Sequence, residues 1–445
     1  MSFRQRDRLY LNGSDCLMLA FDSQLRQLGF AGNQAQISLH LQGRIAEADL
    51  ATRLQCLRQR LPIIAGSIKR WPWSWKPHWR PVRGSRCWYP RVRSQCAADA
   101  RELQRIRIEI LNTGLDLQNG ELIRLDLLEQ EGGQGMELIM TWSHMLMDVH
   151  GAEYFLALLG NSLPEVASYT QAEMLSGSYT ERMPKGLDWK QARQAFTKVD
   201  QLAAHPPVSL YTQTQAKLPP RQDFVWKSFT EEESKAIEDM AKRQGGFLNA
   251  SAYYAAAVVG ALLRLLQDRD ICSPGYVLPM SIDLRRKGTR LPVFGNQAAT
   301  LLYGFAPEQL QDFASTMDSF ARQAQAAVRE GQLQANISAM EISRFLPSKL
   351  YARKIQQAFK GEIASMVLAN PGKSLDYLSE FMGCAVQDLV HVPLIVVPPG
   401  LGLIFYSFSG RLQLSLVYVQ GMLSRAEADS FLQSASRNLL AGQWA

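Results

Sequence analysis

The chain has 445 residues, long for a single core, so two domains or subdomains are expected. Apolar residues make up 47% and charged residues 20%, the balance of an ordinary soluble globular enzyme. The 48 basic residues exceed the 41 acidic ones by a net +7 with no long basic tract, which makes no case for nucleic acid and suits a solvated basic surface, an acidic carrier protein or a phosphate-bearing co-substrate. Six scattered cysteines form no C-x-x-C pair, so they indicate neither a zinc site nor a disulfide framework, and reduced thiols in a cytoplasmic protein are expected.

The N-terminus is charged and leads to no apolar signal core. Asp15 to Asp22 reads as a short helix or loop, and Gln36–Gln42 alternates as a strand. From Ile45 to Arg60 the spacing is helical, with Leu50, Leu54, Leu57 and Leu61 on one face. A basic, tryptophan-rich stretch, Trp71–Trp79, is interrupted by Pro72 and Pro77, so it predicts a packed loop that offers at most a peripheral membrane contact. A strand at Leu122–Leu128 and a second one with Met136, Leu138 and Met140 on one side form a hairpin ending near His144, before a buried helix at Glu153–Leu159.

Between about Ser178 and Arg221 the apolar periodicity weakens and prolines punctuate the chain. This divides the sequence into an N-terminal part (1–180), a linker (181–222) and a C-terminal part (223–445). The second part opens with a strand at Phe224–Phe229 and a helix start at Thr230–Glu233 that resembles a capping box. The apolar runs Phe247–Leu266 and Pro393–Phe408 are read as a core helix and as strand–turn–strand, because polar residues interrupt the first and Pro398-Pro399-Gly400 the second. Strands are expected around Tyr276–Met280, Gln297–Tyr303, Ile363–Ala369, Leu401–Ser409 and Arg411–Tyr418. Helices are expected over Leu310–Gly331, Ile337–Phe359 and Ser424–Leu440, the last with Ser424 as N-cap.

The chemistry concentrates in Thr141–Gly151, where His144, Asp148 and Gly151 fall in an H-x-x-x-D-x-x-G spacing between a strand and a helix. A histidine at a strand end with a carboxylate four residues on is a way to hold one imidazole, and a neutral imidazole near pH 7 takes a proton from a hydroxyl or amine. His144, Asp148 and His150 also present three potential metal ligands, but they are crowded and no further His/Cys cluster supports them, so no metal is expected.

Several pieces share one order along the chain: His144-x-x-x-Asp148, the strand and turn Pro279–Arg285 ending in D-L-R, Phe294-Gly-Asn296, Ala369-Asn-Pro-Gly372 and Phe405–Leu412. In this the chain resembles the superfamily of chloramphenicol acetyltransferase, peptide-synthetase condensation domains, plant-type BAHD acyltransferases and bacterial wax ester synthase/diacylglycerol acyltransferases. It departs from the usual H-H-x-x-x-D-G form in having Ser143 at the first histidine and Val149 at the first glycine. The branched Val149 could narrow the substrate channel or alter the backbone beside the imidazole.

The resemblance implies an α/β fold of two acetyltransferase-like sandwich subdomains in a V, with the active site between them. It implies that His144 is the general base in a tunnel, and that Asp148 forms a structural salt bridge, with Arg285 as its expected partner. Asn296, Asn370 and Ser407 are candidates for the tunnel lining, or else ordinary strand and turn residues. The implied reaction moves an acyl group from an acyl-coenzyme A or phosphopantetheinyl carrier thioester to an alcohol or amine, with no permanently bound cofactor and an acyl carrier protein as a candidate partner. Alternatives are a free-standing condensation domain that forms amides, and a non-catalytic acyl- or carrier-binding relative, which Val149 keeps open.

Overall fold

The computed structural model describes residues 9–70, 76–81, 92–133, 135–160, 170–175, 188–214, 217–245, 250–285, 289, 291–374 and 376–444. Strands in chain order are β1 (Leu9–Tyr10), β2 (Gln34–Gln42), β3 (Gly66–Arg70), β4 (Pro77–Pro81), β5 (Val92–Ala97), β6 (Ile123–Gln130), β7 (Gly135–Ser143), β8 (Gln222–Ser228), β9 (Tyr276–Asp283), β10 (Ala298–Phe305), β11 (Val367–Lys373), β12 (Glu380–Phe381), β13 (Cys384–Val392), β14 (Leu401–Phe408) and β15 (Arg411–Val419). They form two six-stranded sheets, ordered β12-β13-β2-β7-β6-β5 and β10-β9-β11-β14-β15-β8, and a small sheet β1-β4-β3.

Alternation builds the first sheet. Ile37 and Leu39 of β2 stand opposite Met140 and Leu138 of β7, and all four are fully buried. Each such side chain contributes roughly 1.5–3 kcal/mol by leaving water. The helix Glu47–Arg60 covers this sheet through Leu50 and Leu54. In the second sheet β9 and β11 run parallel, as do β11 and β14, while the outer pairs are antiparallel. The helix Ala250–Gln267 is long and apolar enough to cross a membrane, yet it is mostly buried and packs in the core of the second half. Thr230 and Glu233 form a capping box at the helix Glu231–Gly245, and Ser424 and Glu427 form another at Arg425–Ala441.

Several features differ from the sequence reading, among them the helix Ala100–Asn112, which it did not expect, and the helix Gly13–Gln27, longer than the Asp15–Asp22 expected. The stretch 181–222 holds a helix, Trp189–Ala203, which packs Ala192 and Ala195 against Ala335 and Ala339. Small residues give little periodic signal, yet they let two helices approach closely. The single helix expected over Ile337–Phe359 is two, Gln332–Ser343 and Ser348–Ala358, because Pro347 lacks an N–H and excludes helical geometry from the residue before it. Finally, residues 380–392, counted with the second part of the chain, cross over and extend the first sheet. β13 pairs with β2, His391 opposite Ile37, and so covers an edge that would otherwise expose unpaired backbone groups. Trp71, Trp73 and Trp75 lie outside the described residues, and Trp79 of β4 is buried against Ile68 and the first core.

Candidate active site

β7 ends at Ser143, and the next five residues turn into the helix Val149–Gly160. Two backbone contacts hold His144 in this turn. Its N–H donates to the Asn33 carbonyl at 3.1 Å, and its carbonyl accepts from Asn296 Nδ2 at 2.8 Å. The imidazole lines a cavity of about 590 Å³, and its Nδ1 is buried without a hydrogen-bond partner among the described residues. Burial lowers the pKa of His144, and the nearby Asp148 carboxylate opposes that shift only in part.

Asp148 caps the helix and bridges the two halves. Its Oδ1 accepts from the Gly151 N–H at 2.9 Å, and its Oδ2 accepts from the Gln297 N–H at 2.8 Å. Arg285 closes on both oxygens as a fork, Nη1 at 2.9 Å and Nη2 at 3.0 Å. Burial pushes the carboxyl up, but the guanidinium and the two backbone donors overcome it and hold the group below its ordinary range. Arg285 also donates to the Pro292 carbonyl at 2.8 Å, so the loop before Asn296 is tied to the same pair.

Asn296 belongs to the support for His144 as well as to the cavity wall. Its backbone N–H and Nδ2 both donate to Asp15 Oδ1 at 2.8 Å, and its carbonyl accepts from Asn12 Nδ2 at 3.0 Å. Asp15 is fully buried at the capping box of the helix Gly13–Gln27. Sequence reading missed Asn12 and Asp15, although a helix cap with two side chains fit for buried hydrogen bonds was a usable signal.

Val149 lines the cavity from the first helical turn and leaves it open. The position with no room is Gly151: a Cβ there would lie 2.1 Å from the Val293 carbonyl oxygen. The motif's steric demand therefore falls on Gly151, and helical backbone at Val149 accepts a branched side chain. Ser143 is buried, and its hydroxyl has no hydrogen-bond partner among the described residues. Asn370 lines the cavity, and its Oδ1 accepts from the Gly372 N–H at 3.2 Å at an irregularity in β11. Ser407 does not line the cavity; it sits within β14 between Lys373 and Leu412, and its carbonyl accepts from the Ser374 N–H. Its place on the inner strands of the second sheet could not be read from a short motif.

The cavity is lined mostly by apolar side chains, with His144, Asp148 and His150 gathered at one end and Thr300, Asn336 and Lys354 interrupting the apolar wall. Its floor is one face of β9 and β10, where Asp283, Ser281 and Pro279 stand opposite Ala298, Thr300 and Leu302. Asp283 to Pro279 spans roughly 13 Å at ~3.3 Å per residue. Beyond Leu302 the walls are Val199, Phe359, Ile363 and Val396. The cavity reaches solvent beside Phe196, which is 47% exposed, and beside Asp283, whose side chain is 36% exposed.

A second ionisable group faces this space. His150 lines the cavity with Nδ1 3.7 Å from Glu153 Oε2 and Nε2 3.6 Å from Asp283 Oδ2. Burial lowers its pKa, but Glu153, Asp148 and Asp283 together outweigh that and raise it. Glu153 is buried and also meets His391 Nε2 at 2.9 Å across the crossover strand. Burial pushes Glu153 up, and the two histidines bring it down to about 2.

No protein-family model matches the sequence, and no curated protein does either. Solved structures do match. The TRI3 trichothecene 15-O-acetyltransferase from Fusarium sporotrichioides aligns with a TM-score of 0.68 at 16% identity over 98% of this chain and 94% of its own. The first condensation domain of the calcium-dependent antibiotic synthetase, solved with a substrate analogue, aligns at 0.68 and 14% identity over 98% and 96%. The starter condensation domain of rhizomide synthetase, solved with C8-CoA and Leu-SNAC, aligns at 0.64 and 15% identity over 98% and 94%. The chain therefore has the two-subdomain α/β fold of the chloramphenicol acetyltransferase-like proteins along almost its whole length.

Proposed function

We propose that this chain is an acyltransferase that moves an acyl group from a coenzyme A or carrier-protein thioester to a hydroxyl or amine. The carrying observation is His144, held from both halves of the chain, at one end of an open cavity whose lining is mostly apolar. Its buried Nδ1 leaves the Nε2 edge to meet substrate, and its lowered pKa keeps the ring neutral and basic near pH 7. His144 takes the proton from the acceptor O–H or N–H as that atom attacks the thioester carbonyl. A C–O or C–N bond forms, the C–S bond breaks, and the proton passes from the imidazolium to the leaving thiolate. No covalent acyl-enzyme is needed, because holding both substrates against one imidazole supplies much of the acceleration.

The mostly apolar lining beyond Thr300 favours a fatty or otherwise apolar acyl chain, lying from the His144 end towards Leu302 and Phe359. The fold's occurrence in both an O-acetyltransferase and condensation domains supports acyl transfer in general. The open cavity beside Val149 favours an enzyme over a non-catalytic relative. The test is thiol release from a panel of acyl-coenzyme A and acyl-carrier donors with mixed alcohols and amines, for wild type and His144→Ala. Acceptor-dependent release that vanishes in the variant is expected. Equal release from both proteins would remove His144 as the base.

A further inference from the structure

Two neighbouring helices flank the mouth of the cavity beside Phe196. The helix Trp189–Ala203 contributes Phe196 and Val199 to the cavity, and the helix Ser348–Ala358 contributes Lys354 and Ile355. Val199 and Ile355 pack on the same small apolar cluster. On the outward face of the first helix, Trp189 is 69% exposed and lies two turns before Phe196, with the exposed Lys190 and Arg193 between them. The second helix exposes Leu350 beside Lys349, Arg353 and Lys354 and contains no acidic residue. None of these five basic side chains has an acidic partner among the described residues. Together the two helices expose a tryptophan, a phenylalanine and a leucine among basic side chains, with only Phe196 of the three reaching the cavity, and the second helix carries basic charge alone.

We infer that this rim docks on an anionic lipid surface, with the cavity mouth turned towards the bilayer. Separate large apolar side chains, each set among unpaired lysines and arginines, match what an interfacial segment presents. The apolar groups enter the headgroup boundary and the cations meet lipid phosphates. A protein partner would instead bury a contiguous apolar centre ringed by polar groups. The docked orientation also lets an apolar chain pass between bilayer and cavity without crossing water; this last part rests on the acyl-transfer reading, whereas the docking itself does not.

The experiment is co-sedimentation of the full chain with vesicles of phosphatidylcholine alone and with one quarter phosphatidylglycerol, at low and high salt, without substrate. Wild type is expected to bind the anionic vesicles, with salt weakening the binding. Lys349→Glu/Arg353→Glu should weaken it roughly thirtyfold or more, since each basic side chain near the surface counts for about fivefold. Trp189→Ser/Leu350→Ser should also weaken it, and the circular dichroism of both variants should match wild type. No binding to anionic vesicles at low salt, binding by both variants equal to wild type, or association only with an acidic protein would each overturn the inference. Soluble-substrate thiol release by the same variants separates the two readings: docking can fail while acyl transfer persists, and the reverse.

Discussion

Arg285 grips Asp148 with both ends of its guanidinium, at 2.9 and 3.0 Å, and so ties the turn that carries His144 to the second half of the chain. The side chains are only 3% and 9% exposed. A buried pair of this kind contributes little net stability, because desolvating both charges offsets their attraction. Its consequence is positional. The same carboxylate accepts from Gly151 and Gln297, so the helix start, the loop at 297 and the arginine share one anchor.

Arg285→Ala leaves Asp148 buried without its countercharge and is expected to cost about 3–5 kcal/mol. Urea unfolding of Arg285→Ala, Asp148→Ala and the double variant should give strongly non-additive losses, with the double variant less destabilised than the sum. Additive losses would mean that the pair does not act as a unit.

His144→Ala should lower turnover by roughly 10²–10⁴-fold, the range of a lost general base, with the unfolding midpoint little changed. In wild type the neutral ring is the active form and burial lowers its pKa. Activity should therefore rise with pH along a limb whose midpoint lies below the ordinary histidine value of about 6.5, and stay level above it. A limb centred above that value would contradict the buried setting.

Gly151→Ala and Val149→Gly should behave in opposite ways. The first drives a Cβ to 2.1 Å from the Val293 carbonyl and must shift the loop that supports Asn296. It should lower both stability and turnover. The second removes a side chain from an already open wall and should leave turnover within a few-fold of wild type. Steady-state kinetics and melting curves of the two variants check this directly.

Leu302→Trp fills the apolar part of the cavity away from His144. Long-chain donors should lose kcat/KM by tenfold or more, and short ones should be nearly unaffected, since each methylene accommodated counts for roughly 10–200-fold. Uniform loss across chain lengths would place the acyl group elsewhere.

Glu153 links His150 at the cavity to His391 on the crossover strand, and its pKa falls to about 2. Its folded value lies below the unfolded one. The stability it contributes is therefore fully present above about 4.5 and is lost as pH falls towards about 2. Glu153→Gln should destabilise the protein at pH 7 and flatten its acid unfolding profile in that window, which pH-dependent urea unfolding checks. His150 has the opposite sign: its raised pKa contributes stability below the ordinary histidine value that is lost as pH rises through the folded one.

The sequence by itself determined the local elements and the central motif. Period-2 alternation placed β2 and β7, the capping boxes at Thr230 and Ser424 marked helix starts, and the His144–Asp148 spacing marked the turn between strand and helix. These are short-range effects, set by side-chain period and by hydrogen bonds within a few residues. Only the tertiary structure decided the rest. The crossover of β13 onto β2, the support of His144 by Asn12, Asp15 and Asn296, and the absence of Ser407 from the cavity depend on residues that are far apart in the chain. So does the open space beside Val149, because the glycine that sterics demand is set by the Val293 carbonyl from the other half of the chain. Such contacts leave no periodic trace in either segment. They arise when two separately patterned halves close on one buried charge pair and one cavity.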